Sequence, residues 1–187
     1  MEIMRIVIAG PVGSGKSSLI RTISEIEPVD TDKQATDEVS QLKRTTTVAM
    51  DFGRLQFGPN VALHLYGTPG QERFNFMWEI LISKAHAFIL LVSSHRPQDF
   101  LPARRILAFM RRRTQVPMII GLSHVDHPNA WPVGEIATAL GYLSPHRRPP
   151  MVPVNALDRD SAINLITALI QTYAAQQAKE LQEVLSH

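Results

Sequence analysis

The amino-acid sequence predicts one α/β domain, a six-stranded mixed sheet with one antiparallel strand and about five flanking helices. Three observations predict it. Apolar runs alternate with helical patterns from end to end, the arrangement of a largely parallel sheet covered on both faces. The first apolar run passes directly into a glycine-rich loop and then a helical pattern. Two other runs are separated only by "QFGPN", where Gly58, Pro59 and Asn60 make a short turn that reverses one strand into a hairpin. At 187 residues and 44% hydrophobic, the chain buries one sizeable core, so 1–187 is read as a single domain.

The elements follow in order. "IMRIVIA" (residues 3–9) is the first strand, and a helix opens after Gly15. Glu25 to Arg44, "EIEPVDTDKQATDEVSQLKR", lacks apolar periodicity and reads as a long surface loop. "TVAMDFGRL" (47–55) and "VALHLYG" (61–67) form the hairpin, with a helix after Pro69. "AFILLVS" (87–93), a helix from about Pro97 to Arg113, "VPMIIGLS" (116–123), a helix from about Pro132 to Tyr142 and "PMVPVNA" (150–156) continue the alternation. The C-terminal helix, about 158–185, places Ile163, Ile166, Ile170, Tyr173 and Ala174 at helical spacing, with Asp158 or Ser161 as its cap.

Composition removes several function classes. With no cysteine there are no disulfides, thiol nucleophiles or Cys-based metal sites, which fits a reducing compartment. The net charge of +2 does not imply nucleic acid. The arginines of "RRILAFMRRR" (Arg104, Arg105, Arg111, Arg112, Arg113) read as a solvated helix face, those in the last turn favouring the negative end of the helix dipole, with a patch for a partner or a membrane surface as the alternative. No apolar run approaches the roughly 20 residues that span a bilayer, so a soluble, cytoplasmic protein without a transmembrane segment is expected.

The strongest chemical signal is "GPVGSGKS", Gly10 to Ser17, which fits G-x-x-x-x-G-K-S between a strand and a helix. The backbone N–H groups of Gly10, Val12, Gly13, Ser14 and Gly15 turn inward around phosphate oxygens. Lys16 reaches the β- and γ-phosphates, and the Ser17 hydroxyl ligates Mg²⁺. The expected fold is therefore a P-loop NTPase. Four further elements sit at strand ends, where open α/β sheets bind ligands. Thr47 precedes a strand, where its hydroxyl can complete the Mg²⁺ shell. "GTPGQERF" offers the Gly70 N–H to a γ-phosphate and Gln71 to orient a water for in-line attack. "GLSHVD" ends with Asp126, and "PVNALD" carries Asn155, Ala156 and Leu157.

On these motifs the chain resembles a small Ras-type GTPase over roughly residues 3–175. "TTTVAMDF" and "LYGTPGQERFNFMW" resemble the bacterial branch related to the gliding-motility GTPase MglA and the conservon-encoded GTPases of actinobacteria. The resemblance implies a GTP/GDP cycle with Mg²⁺ and partners of the roadblock/LC7 type. It places Ser18 on the α-phosphate, Lys16, Thr47 and Gln71 in hydrolysis, and Ser17 and Thr47 on the metal. Thr46 or Thr45 can substitute for Thr47 if the register slips. Asp126 would accept from guanine N1–H and N2–H, and the Ala156 N–H would meet O6. Two departures stand out: Ser123 and His124 replace Asn and Lys of the N-K-x-D box, and "NAL" replaces S-A-K. His124 becomes a candidate pocket wall.

The favoured function is a nucleotide switch with slow intrinsic hydrolysis stimulated by a partner. The alternative is a GTP/ATP-binding scaffold that does not hydrolyse. No arginine finger is assigned; Arg44, Arg54 and Arg73 lie in or beside the switches. His64 reads as a surface or satisfied core histidine. Phe74, Phe76, Met77 and Trp78 read either as a helix with half of them facing the core or, together with Phe52, as an effector face. Gly67 stands where most P-loop NTPases keep a Mg²⁺-holding aspartate, so weakened Mg²⁺ dependence is expected.

Overall fold

The computed structural model describes residues 2–27 and 50–186; Thr45, Thr46, Thr47 and Arg44 lie outside the described residues. Six strands form one sheet: β1 (Glu2–Ala9), β2 (Asp51–Phe57), β3 (Val61–Gly67), β4 (Ala87–Ser93), β5 (Met118–Ser123) and β6 (Met151–Val154). Their order across the sheet is β2-β3-β1-β4-β5-β6. Every neighbouring pair is parallel except β2 with β3, which the Gly58–Asn60 turn reverses as expected. The helices are α1 (Lys16–Ile23), α2 (Asn75–Ile82), α3 (Phe100–Arg111), α4 (Val133–Ala139) and α5 (Arg159–Leu185).

The period of two along each strand divides the core into two layers. Ile6 and Ile8 of β1, with Leu63 and Leu65 of β3 and Ile89 and Leu91 of β4, pack under α1 and α5 through Leu19, Ile20, Ile23, Leu165 and Ile166. Their neighbours Val7, Leu90, Val92, Ile120 and Leu122 face α2, α3 and α4, meeting Met77, Trp78, Phe100, Ile106 and Ile136. A sheet buried on both faces is what the continuous apolar runs require, and the 0% exposure of Ile6, Val7 and Ile8 in succession shows it directly.

Element ends depart from expectation for local reasons. The segment from Pro97 opens as a single 3-10 turn, Pro97–Asp99, before α3 begins. Strand β6 stops at Val154 because the Asn155 N–H turns away to the Ser161 hydroxyl at 2.9 Å. Asp158 caps α5 by accepting the Ser161 N–H at 2.9 Å, which selects Asp158 over Ser161 as the cap. Every strand that runs parallel to β1 points its C-terminal end at the same edge, where β1, β3, β4, β5 and β6 deliver the loops described next.

Candidate functional site

The loop between β1 and α1 is a phosphate cradle. Gly13 (φ 78) and Gly15 (φ 102) hold left-handed conformations that turn successive N–H groups to one side. Lys16 folds back over the loop, donating from Nζ to the carbonyls of Gly10 at 2.7 Å and Pro11 at 2.8 Å. Burial pulls this ammonium down to about 8, against an upward pull from the Asp51 carboxylate.

Asp51 is the residue that sequence reasoning missed. Strand β2 pairs antiparallel with β3 so that Asp51 faces Gly67. The Ser17 hydroxyl donates to Asp51 Oδ2 at 2.5 Å. A side chain on Gly67 would place its Cβ 3.0 Å from Asp51 Cβ and 3.2 Å from Oδ2. The glycine thus makes room for a carboxylate arriving from the opposite strand. Mg²⁺ prefers hard oxygen donors and is usually held by one or two carboxylates together with substrate phosphates and water. Ser17 with Asp51 fits that description, so a carboxylate does stand beside Ser17, from the strand opposite Gly67.

A cavity of about 590 Å³ adjoins the cradle, lined by Gly13, Gly15, Ser18, Ser123, His124, Asp126, Asn155, Ala156 and Leu157, among others. It gathers the expected base-pocket residues from three separate loops. The Asp126 carboxylate is exposed at its rim. Asn155 is turned inward on its own loop, its Oδ1 accepting the Leu157 N–H at 3.0 Å, while the Ala156 carbonyl accepts from Thr22 Oγ1 at 2.7 Å. Ser123, in the place of the box asparagine, still ties the pocket to the cradle: its hydroxyl donates to the Ser14 carbonyl at 3.1 Å. His124 sits at φ 56, the one left-handed non-glycine among the described residues, with its ring against His95 at 4.6 Å.

The turn after β3 docks on the cradle. A Cβ on Gly70 would lie 2.5 Å from the Val12 amide nitrogen and 2.8 Å from the Pro11 carbonyl carbon, so only glycine permits this approach. Gln71 follows with an exposed side chain. The turn is held from behind by Trp78, whose Nε1–H donates to the Pro69 carbonyl at 2.7 Å. Trp78 and Met77 are buried at 2% and 1% exposure, and Phe52 at 1%; they belong to the core, where the effector-face reading had placed them at the surface. Phe76 remains exposed, with Phe74 half-buried against it in an edge-to-face contact. His64 is buried in ring contacts with Phe52 and Tyr66.

Comparison with known proteins follows this geometry. A family model described as "Conserved hypothetical ATP binding protein" matches residues 8–175. The chain is 31% identical over 143 residues to a Ras and EF-hand domain-containing protein of Danio rerio, covering 74% of this chain and 20% of that protein. It is 26% identical over 190 residues to the Caenorhabditis elegans homolog, covering 95% of this chain and 27% of that one. The chain therefore spans a fifth to a quarter of the length of these curated relatives. Among solved structures it is similar to the Arl6 BBS3 small GTPase of Trypanosoma brucei with bound nucleotide analogue GppNp. The TM-score is 0.69 at 18% identity, covering 93% of this chain and 99% of that one. At that identity the likeness is one of fold, and the fold is that of a small GTPase.

Proposed function

This chain belongs to the family described as conserved hypothetical ATP-binding proteins, and from that premise we propose that it is a switch that binds GTP or GDP with Mg²⁺ and hydrolyses GTP slowly. The observation that carries the reading is the contact of Gly70 with the cradle backbone at Val12. A triphosphate filling the cradle meets the very turn that holds Gln71, so the turn's position reports which nucleotide is bound.

Each residue has a part. Lys16 and the cradle amides bind the phosphates. Ser17 and Asp51 would hold Mg²⁺, with Thr47 as a further ligand; the ion, when bound, neutralises charge on the phosphates. Gln71 orients the attacking water. Asp126 chooses guanine, since adenine offers no pair of donors to a carboxylate. The family's description names ATP, so base choice is the sharpest part of the proposal. Hydrolysis by the isolated chain stays below about 1 per second, because positioning with no arginine finger assigned leaves most of the barrier standing. Phe74 and Phe76, beside the turn, offer the surface for an effector, and the resemblance to the MglA and conservon group makes a roadblock/LC7-type protein the regulator to try first.

A scaffold without hydrolysis has no need of a carboxylate beside Ser17, and Asp51 stands there. Calorimetric titration with GDP, GTP, ADP and ATP, with and without Mg²⁺, tests the binding. Single-turnover hydrolysis by wild type and Gln71→Leu tests the chemistry. Guanine nucleotides binding more tightly and a slow rate abolished by Gln71→Leu are expected; preference for adenine, or equal rates in the two proteins, would sink the reading.

A further inference from the structure

Arg96 lies in the loop leaving β4 and belongs to none of the motifs above. Its Nη1 stands 3.3 Å from where a Cβ on Gly13 would be, and its Cζ 4.0 Å away, so the guanidinium rests on the cradle at the residue that also lines the base cavity. Asp99 holds its Nε from the far side at 2.7 Å, a close ion pair within the same short turn. That leaves Nη1 beside the loop, with no side-chain hydrogen bond to another described residue. A guanidinium fixed from behind and open in front is arranged to receive an anion.

His124 takes the lysine place of the guanine box, but its ring is committed to a stack: His95 lies 4.6 Å from it and His127 lies 4.3 Å from His95 on a nearly parallel plane. His95 is held below the ordinary histidine range by desolvation, then by His124 and His127, then by Arg96, with Asp99 opposing. Arg96 is charged at every working pH.

We propose that Arg96 is a phosphate-contacting residue of the nucleotide site, its guanidinium gripping the phosphates of a nucleoside di- or triphosphate from the Gly13 side of the cradle. This rests on the reading of the cradle as a nucleotide site. Arg96 and Lys16 then hold the polyphosphate from two sides, with the His95–His124–His127 stack beside them.

Release of a fluorescent GDP analogue and calorimetric GDP affinity, measured on the full chain at low and high salt, test the proposal. Arg96→Ala should speed release and weaken affinity by about tenfold or more, the loss of a charge-assisted hydrogen bond. Its GDP affinity should also depend less on salt, since one screened attraction is gone. Arg96→Lys should fall between the two, and Arg112→Ala, exposed at the C-terminal end of α3, should match wild type. Unchanged release in Arg96→Ala overturns the proposal; so does a loss that leaves the salt dependence intact, which would mark a merely structural residue. Should Arg96→Ala fail to fold, Asp99→Asn frees the guanidinium and should speed release about threefold; no change there is also fatal. A wild type that binds no GDP, GTP, ADP or ATP overturns the nucleotide site itself, which separates the two failures.

Discussion

At the scale of single residues, the exchange between Gly67 and Asp51 makes the sharpest predictions. Asp51→Asn should weaken Mg²⁺-dependent nucleotide binding by about tenfold, measured by titrating nucleotide at fixed and zero Mg²⁺. Gly67→Asp should not strengthen the metal site. It sets a second carboxylate against Asp51 and a Cβ 2.9 Å from Ile20 Cδ1, and overpacking of that kind costs about 1–3 kcal/mol, read as a lower midpoint in urea. The double change, Asp51→Gly with Gly67→Asp, moves the carboxylate back across the pair and should recover Mg²⁺ dependence. Lys16 adds a pH prediction. Its ammonium titrates near 8 when no phosphate is bound, and a polyphosphate raises that value because it favours the charged form. Above pH 8 binding must therefore take up a proton, so affinity falls by up to about tenfold per pH unit until the bound value is reached. Below about pH 7 Lys16 imposes no slope. Calorimetry in buffers of different ionisation enthalpy counts the proton. Asp51→Asn removes the upward pull on Lys16 and should bring the onset to lower pH.

Elements show where the sequence was legible and where it was not. The cradle, the turn at Gly70 and the strand ends bearing Asp126 and Ala156 were legible because each is a local pattern, a few residues long, tied to one strand end. Asp51 was not, because its meaning comes from a neighbour on another strand. Counting outward from the Gly58–Asn60 turn would have found it: Phe57 faces Val61, and the ladder continues until Asp51 faces Gly67. Trp78 misled for a related reason. An aromatic helix near a switch looks like a docking face, and only the packed structure turns the indole inward to Pro69. The helix α2 is consequently a strut for the turn. Trp78→Phe leaves the Pro69 carbonyl without its donor and should cost about 1–3 kcal/mol. It should also remove the fluorescence change on GTP binding expected of wild type, since the indole is hydrogen-bonded to the turn. A wild-type emission spectrum unaltered by GTP would count against a moving turn. On the other side of α2, Phe109 of α3 lies edge-on to Trp78 at 5.3 Å, and Arg105 of α3 reaches Glu72 at 3.2 Å. The turn thus leans on two helices.

For the whole molecule, the fold was the most legible level, because an alternation of fully apolar runs with amphipathic helices has few solutions that bury both sheet faces. The site is less rigidly specified: five loops converge on it, and each is held by few bonds, such as Ser123 to Ser14 and Ser17 to Asp51. Ligand binding should then stabilise the entire domain by mass action. At a nucleotide concentration 100 times the dissociation constant the gain is about 2.7 kcal/mol, a rise of roughly 2–4 °C in melting temperature for a domain of this size. Differential scanning calorimetry with GDP and Mg²⁺ should show it in wild type and much less in Asp51→Asn. No helix among the described residues is long and apolar enough to cross a membrane.

The facing pair at the end of the hairpin has a consequence for how such sites are recognised. An acid at the head of β2 and a glycine at the foot of β3 are interchangeable in space, though sixteen positions apart in the chain. A search that inspects one column for an aspartate would discard this protein as defective. A search that asks whether either rung of the ladder carries the acid, and whether the other is small enough to admit it, would keep it. Whichever strand carries the acid, the hairpin register carries the information, and a one-residue slip of β2 would bring Phe52 opposite Gly67 and turn the carboxylate to the other face of the sheet.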